Sequence, residues 1–317
     1  MELQNDFWQK LNKPFYAMAP MAGVADSAFR QVCKDFGADV VYSEMASVAA
    51  LCYNPKKTLE LLEFSEKERP YVVQLFGSEA KQFAEAARIV TKEINPDGID
   101  INFGCPVKKV AKQGAGAVLM RDKKKSREII ISTIENTELP VSIKTRAQVD
   151  TIDALEFLDY MHDLDIKALM IHGRTLAQGF SGDINFDIIK KARDYFGGII
   201  MANGGINSLD DGIQVLKKTR ADGLGIARGA LGCPWIFQEL KNIKKENKIP
   251  EKIFEIALRH AELAESLKGQ QGIIEIRKHL CWYVHGIIGA SEMRRELINV
   301  SSLNEIKNIF NSFGFVV

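Results

Sequence analysis

The chain of 317 residues carries 42 Lys/Arg against 41 Asp/Glu, a net charge of +1, which excludes a protein that holds polyanions by bulk charge alone. Hydrophobic residues make up 46% and charged residues 26%, the balance of a globular protein with one large core, or one large and one small. Cys33, Cys52, Cys105, Cys233 and Cys281 are widely spaced, with no CxxC and no Cys/His cluster, so neither a metal site nor a disulfide framework is expected.

Reduced thiols fit a cytoplasmic protein. The first residues, MELQNDFWQKLNK, lack the apolar core of a secretion signal, and no apolar run approaches ~18 residues, so no membrane span is expected.

Short apolar runs then alternate with amphipathic stretches. PFYAMAPM precedes DSAFRQVCKDFG, and DVVYSEM follows. PYVVQLFG leads into SEAKQFAEAARIVTKEI, GIDINFGC towards SREIIISTIENTEL, and PVSIKTR towards DALEFLDYMHDLD. ALMIHGR precedes FDIIKKARDYF, GIIMANGGI precedes SLDDGIQVLKKTR, and DGLGIARG precedes CPWIFQEL. The strand-like runs are apolar on both faces, as in a parallel sheet covered by helices. Asp26, Ser126 and Ser208 occupy expected helix N-caps. Eight such units in the first 240 residues predict a (β/α)8 barrel. An open doubly wound sheet is disfavoured, because no GxGxxG follows the first strand.

After Leu240 comes a lysine-rich linker, KNIKKENKIPEK, and then only helix-like text. Residues 241–317 carry 12 Lys/Arg and 9 Asp/Glu, a net of +3, against −2 for the first 240. The expected organisation is a barrel over 1–240 and a smaller all-helical domain over 241–317.

In such a barrel the active site lies at the C-terminal ends of the strands. Those ends carry Pro20, Met21 and Ala22; Gln74; Asn102, Gly104 and Cys105; Lys144 and Arg146; His172 and Arg174; Asn203, Gly204 and Gly205; and Ala227, Arg228 and Gly229. The glycines of NGGI and IARG either make tight turns or let backbone N–H groups approach a phosphate, and the second reading is favoured after the last two strands. Lys144 is either a surface ion-pair partner or a cation beside a cofactor. Gln74 and Asn203 both donate and accept, which suits the edge of a heteroaromatic ring. Together these residues suggest a phosphorylated aromatic cofactor of the size of flavin mononucleotide.

Four of the cysteines read as small packed side chains. Cys105 differs, because it closes a strand and Pro106 stops that strand from continuing. A thiol with a pKa near ~8.5 holds its proton at neutral pH and can donate it. From Cys105 to Arg127 there are eight basic residues, Lys108 and Lys109 among them, against the single acid Asp122. That run is either a solvated face or a seat for a polyanion lying over the site.

The segments APMAGVADSAFR, INFGCPVKKV, GAGAVLM, IKTR, IHGRT, QGFSG, ANGGI and GIARGALGCPWIF resemble the tRNA-dihydrouridine synthases, most closely the bacterial B-type branch. The resemblance runs from about Pro14 to Leu240 and implies an FMN-holding barrel followed by a helical tRNA-binding domain. It implies that FMN, reduced by NADPH or NADH, passes hydride to C6 of a uracil while Cys105 protonates C5. It implies flavin contacts from Pro20, Met21, Ala22, Gln74, Lys144 and His172, and phosphate contacts from Asn203, Gly204, Gly205, Ala227 and Arg228. Asn102, Lys108, Lys109 and Arg146 are implied on the substrate side, with no metal, and the family leans towards monomers. Two positions depart from the pattern: Gly205 stands where the family often has Asp, and Leu176 where an Arg is common. The rival reading is an FMN barrel that reduces a free small molecule, which needs neither the tail nor the basic run.

Overall fold

A computed structural model describes residues 6–246 and 249–314. All eight apolar runs are strands: β1 (Phe15–Met18), β2 (Val40–Ser47), β3 (Tyr71–Phe76), β4 (Gly98–Phe103), β5 (Val141–Val149), β6 (Ala168–Thr175), β7 (Ile199–Asn203) and β8 (Gly223–Ile226). Each pairs in parallel with the next, and β8 returns to β1, so the sheet closes. A two-residue arm, Ile152–Asp153, folds back antiparallel on β5.

Residues alternate along each strand, and the two faces feed two separate cores. Phe15, Ala17, Tyr42, Val72, Met170 and Met201 fill the barrel interior. Val73, Ile101, Ile143, Ile171 and Leu224 pack outward under the helices. The 3-10 turn Phe7–Lys10 sets Trp8 against Phe15 and Tyr42, with ring centroids 6.1 and 6.5 Å apart, and so closes the lower end of the barrel.

Asp26 and Ser208 cap their helices as expected, accepting from the backbone N–H of Phe29 and Asp211. Ser126 does not. The helix Lys123–Ile134 begins earlier, capped by Asp122, which accepts from Lys125 N at 3.0 Å. Ser126 lies inside the first turn and donates to the Leu119 carbonyl at 2.7 Å. A carboxylate directly before the run is the stronger acceptor for the orphan N–H groups.

The tail consists of the helices Pro250–Lys268, Gln270–Tyr283, Ala290–Leu297 and Leu303–Ser312. Pro250 opens the first of them rather than ending the linker, since the N–H of a helix's first residue has no intrahelical acceptor and its loss costs no hydrogen bond. Gly272 is needed where the first two helices meet: a Cβ there would fall 1.9 Å from the Ala264 carbonyl oxygen. The tail core of Phe254, Ile276, Leu280, Met293, Ile306 and Phe310 is continuous with Ala28 and Val32, on the barrel helix Ser27–Asp35. Among the described residues no helix is long and apolar enough to cross a membrane.

The helix Ser27–Asp35 follows the loop after β1 and is anchored by a fully buried ion pair. Arg30 donates to Glu68 at 2.5 Å and to the carbonyls of Ala25 and Glu63 at 2.8 and 2.7 Å. Glu68 also accepts from Ser65 N at 2.8 Å. Breaking such a pair from one side costs about 3–5 kcal/mol, whereas replacing both partners with apolar groups is often neutral. Arg30→Met is therefore expected to lower stability by about 3–5 kcal/mol in urea unfolding, and Arg30→Met/Glu68→Leu to recover most of the loss. Equal losses in the single and the double variant would contradict this account.

Candidate active site

Strand register brings the expected residues side by side. Gln74 is paired with Asp100, Asn102 with Lys144, Arg146 with His172, His172 with Asn203, and Asn203 with Gly225. They surround a cavity of about 360 Å³ at the C-terminal mouth of the barrel. Pro20, Met21, Ala22, Gln74, Asn102, Cys105, Lys144, Arg146, His172, Asn203, Gly204, Gly205, Ala227 and Arg228 all line it. A larger hollow of about 1090 Å³ lies at the opposite end and holds none of them. Its Arg69 is already paired with Asp97 and Glu66.

The wall carries Lys144, Arg146, Arg174 and Arg228 and no carboxylate. Burial, followed by these same four cations, holds the His172 imidazole far below its usual range, so it is neutral at physiological pH. Lys144 has no hydrogen bond or ion pair among the described residues, and burial followed by Arg146 lowers its pKa to about 8. Burial pushes the Cys105 thiol above its ordinary value, while Lys144 and Arg146 pull in the other direction. The thiol therefore keeps its proton at neutral pH.

The three arginines are held by carbonyls. Arg146 donates to Gly104 at 2.8 Å, Thr175 at 2.9 Å and Gly179 at 2.8 Å. Arg174 donates to Gly182 at 2.8 Å, and Arg228 to Phe180 at 3.1 Å. Arg146 is thus braced inside the wall, 1% exposed, while still lining the cavity. The amide of Asn203 likewise donates to the Gly225 carbonyl at 2.7 Å and joins β7 to β8. Asn102 and Gln74 bond to each other at 2.8 Å, so much of their polar capacity is committed within the protein.

The cavity suits an anionic ligand group. The Arg174 Nη1 atom is buried with no partner among the described residues. In the same cavity lining, Gly204 and Gly205 have φ of +102° and +70°. A Cβ on Gly204 would come within 2.4 Å of the His172 ring, and one on Gly229 within 2.1 Å of the Ile206 carbonyl. Only bare backbone fits there, and bare backbone is what lets N–H groups approach an anion.

Lys108 and Lys109 are exposed on the short helix Lys108–Ala111 and do not line the cavity, although Val107 does. The basic run is weaker than its composition implies. Arg121, Lys123, Lys125 and Arg127 pair with Asp150, Glu156, Glu79 and Asp163. No ion pair involves Lys108, Lys109, Lys112 or Lys124 among the described residues.

Four groups around the site were given no role by the sequence. Arg174 could have been, since it lies two residues after His172 on the same strand face. Asp100 stands out as a carboxylate in an apolar run. Phe180, whose ring lies under Arg146 and Arg228 at 5.7 and 5.0 Å, is in a loop with no periodicity to expose it. Trp282 reaches the wall from the tail, and nothing local signals this.

Residues 17–313 match the sequence model of the dihydrouridine synthase family. The chain is 35% identical to tRNA-dihydrouridine synthase B of Pseudomonas syringae pv. tomato, over 87% of this chain and 84% of that one. It is 34% identical to a probable tRNA-dihydrouridine synthase of Helicobacter pylori, over 95% and 91%. Among solved structures, histamine dehydrogenase from Rhizobium sp. 4-9 shares the fold with a TM-score of 0.55 at 11% identity, over 84% of this chain and 48% of that one. The old yellow enzyme homologue from Zymomonas mobilis does so with a TM-score of 0.52 at 11% identity, over 76% and 92%. With the family model spanning the barrel and most of the helical tail, this chain belongs to the dihydrouridine synthase family.

Proposed function

We propose that this chain reduces the C5–C6 double bond of uridines in tRNA to 5,6-dihydrouridine, with FMN in the barrel-mouth cavity and NADPH or NADH as reductant. The observation that carries this reading is the meeting of a protonated Cys105, an unpartnered Lys144 and a glycine cradle in one cationic cavity.

Arg174, Arg228 and the backbone around Gly204, Gly205 and Ala227 would hold the FMN phosphate, while Pro20, Met21, Ala22 and Gln74 line the ring and Lys144 and His172 lie beside it. Bound there, FMN supplies hydride transfer to one carbon of the double bond. Cys105 supplies the other hydrogen: its S–H bond breaks, a C5–H bond forms, and the thiolate regains a proton from solvent. Lys144 and Arg146 stabilise the thiolate in the interval. His172, held neutral, adds a hydrogen-bonding group without a further charge. A uridine swung out of the folded RNA enters at a cost of a few kcal/mol. The barrel over 1–240 acts as the catalytic unit and residues 241–317 as the tRNA-binding one, joined on the rim by Lys108 and Lys109.

Protein reduced anaerobically with NADPH, freed of excess and given tRNA lacking dihydrouridine is expected to regain its visible flavin bands, and free uridine should not restore them. Cys105→Ala is expected to bind flavin normally and to lose most product formation. Reoxidation by uridine alone points to the small-molecule reductase instead, and near-normal product from Cys105→Ala removes the thiol from the chemistry.

The charge on Lys144 sets a pH dependence. Burial disfavours its charged form, so the cation is present below about 8 and lost above it. FMN affinity, followed by fluorescence quenching, is expected to fall as pH rises through that value, and Lys144→Met to remove the step. A step that persists in the variant belongs to another group.

Phosphate contacts release counterions, so each contact steepens the fall of affinity with salt. Lys108→Ala/Lys109→Ala is expected to reduce the slope of log affinity for tRNA against log salt by roughly 1–2. An unchanged slope places the RNA elsewhere on the rim.

A further inference from the structure

A line of buried hydrogen bonds runs under the catalytic loop. Ser142 Oγ donates to Asp100 Oδ1 at 2.7 Å, and Gln74 Nε2 donates to Asp100 Oδ2 at 2.7 Å. Asn102 Nδ2 donates to Gln74 Oε1 at 2.8 Å, and Asn102 Oδ1 accepts from the N–H groups of Gly104 at 3.0 Å and Cys105 at 2.9 Å. Asp100 is fully buried, Gln74 2% exposed and Asn102 6%.

An amide side chain can turn end for end, and neither Gln74 nor Asn102 fixes its own sense. The two ends of the line do. Backbone N–H groups only donate, so Asn102 must offer them its oxygen. Its nitrogen then faces Gln74, which must answer with oxygen and turn its own nitrogen towards Asp100. An ionised carboxylate only accepts, so that end is compatible with this sense and no other. Burial raises the Asp100 pKa to about 6, with Gln74, Ser142 and Lys144 opposing. The carboxylate form therefore prevails at neutral pH.

We propose that Asp100 is a positioning residue for Cys105: as the accepting end of the line, opposite the Gly104 and Cys105 N–H groups, it locks Gln74 and Asn102 in one hydrogen-bond sense and so holds the loop that presents the thiol. The role assigned to this presentation rests on Cys105 as proton donor, but the line itself is a matter of geometry and can be tested without turnover.

The test reverses the line. In Asn102→Asp, carboxylates stand at both ends of Gln74, whose single nitrogen can satisfy only one of them. In Asp100→Asn/Asn102→Asp the sense runs backwards with every bond kept. The carboxylate now at position 102 accepts from the two backbone N–H groups and from the nitrogen of a turned Gln74. The Gln74 oxygen accepts from the amide now at position 100, whose own oxygen accepts from Ser142. Asp100→Asn alone keeps one complete arrangement, because the nitrogen of the new amide can donate to Ser142 Oγ.

The readouts are the iodoacetamide alkylation rate of Cys105, followed by peptide mass spectrometry, and dihydrouridine formation, with flavin content and melting temperature as checks of folding. Asn102→Asp is expected to change the alkylation rate and lower turnover about a hundredfold, Asp100→Asn to act by no more than a few-fold, and the double variant to return to within about tenfold of the parent. A double variant no better than Asn102→Asp, or alkylation unchanged throughout, overturns the proposal. Should Asn102→Asp fail to fold, Gln74→Met cuts the line in the middle. Asp100→Ala, which leaves the Gln74 nitrogen without its acceptor, is expected to change alkylation in the parent and must then add nothing in Gln74→Met, and a full additional effect overturns the proposal. Turnover by Cys105→Ala separately decides whether the thiol is the proton donor, so failure of that reading is distinguishable from failure of this one.

Discussion

Lys144, Arg146, Arg174 and Arg228 stand round one cavity whose wall holds no carboxylate. Like charges gathered at low dielectric repel until an anion enters, so the surrounding structure must hold them in place. It does so with carbonyl dipoles. Thr175, Gly179, Phe180 and Gly182, at the end of β6 and in the loop after it, turn their carbonyls onto the three guanidiniums. The loop and the cations thus stabilise each other, and Phe180 is held at the rim between Arg146 and Arg228 as a consequence. His172 stays neutral there because burial, and after it the four cations, disfavours a further charge. A ligand anion meets charges already arranged for it, and little reorganisation is needed when it arrives.

The barrel was legible because parallel strands buried on both faces leave an unmistakable apolar text, and because their ends must expose backbone and polar groups. Cys105, Lys144, His172 and the glycines after β7 could be picked out on that ground alone. What stayed hidden were partners distant in sequence. The basic run after Cys105 left a solvated face and a polyanion seat both open, and Glu79, Asp150, Glu156 and Asp163 claim half of it from neighbouring β/α units. Arg146 and Asn102 line the cavity, but Arg146 is braced by three carbonyls and Asn102 is bonded to the Gln74 side chain and to two backbone N–H groups. A polar residue at a strand end can be read from sequence, but whether its hydrogen bonds are already taken depends on where loops from other units fall.

Trp282 shows the same limit at longer range and bears on how the molecule works. It belongs to the tail, yet it completes the wall of a cavity otherwise built by the barrel. Lys278, one helical turn earlier, donates to the Gly23 carbonyl, and Glu44 on β2 accepts from the Gly23 N–H. The loop that carries Pro20, Met21 and Ala22 is therefore gripped from the tail side and the barrel side at one residue.

The two sides of the wall are fixed by different physics. The barrel side follows strand register, which can change only by a slip that turns side chains to the other face. The tail side depends on docking. The exposed pair Arg259–Asp35 adds little to it. His260 and His279 packed on Phe29, with ring centroids 5.7 and 4.8 Å away, add more. Burial holds both imidazoles below their usual range, to about 4 for His260, so at neutral pH they pack as uncharged rings. Lys144 and His172 sit on strands whose register fixes them and Cys105 follows directly after β4, whereas Trp282 and Lys278 share one tail helix that bears on both the cavity wall and the Gly23 loop.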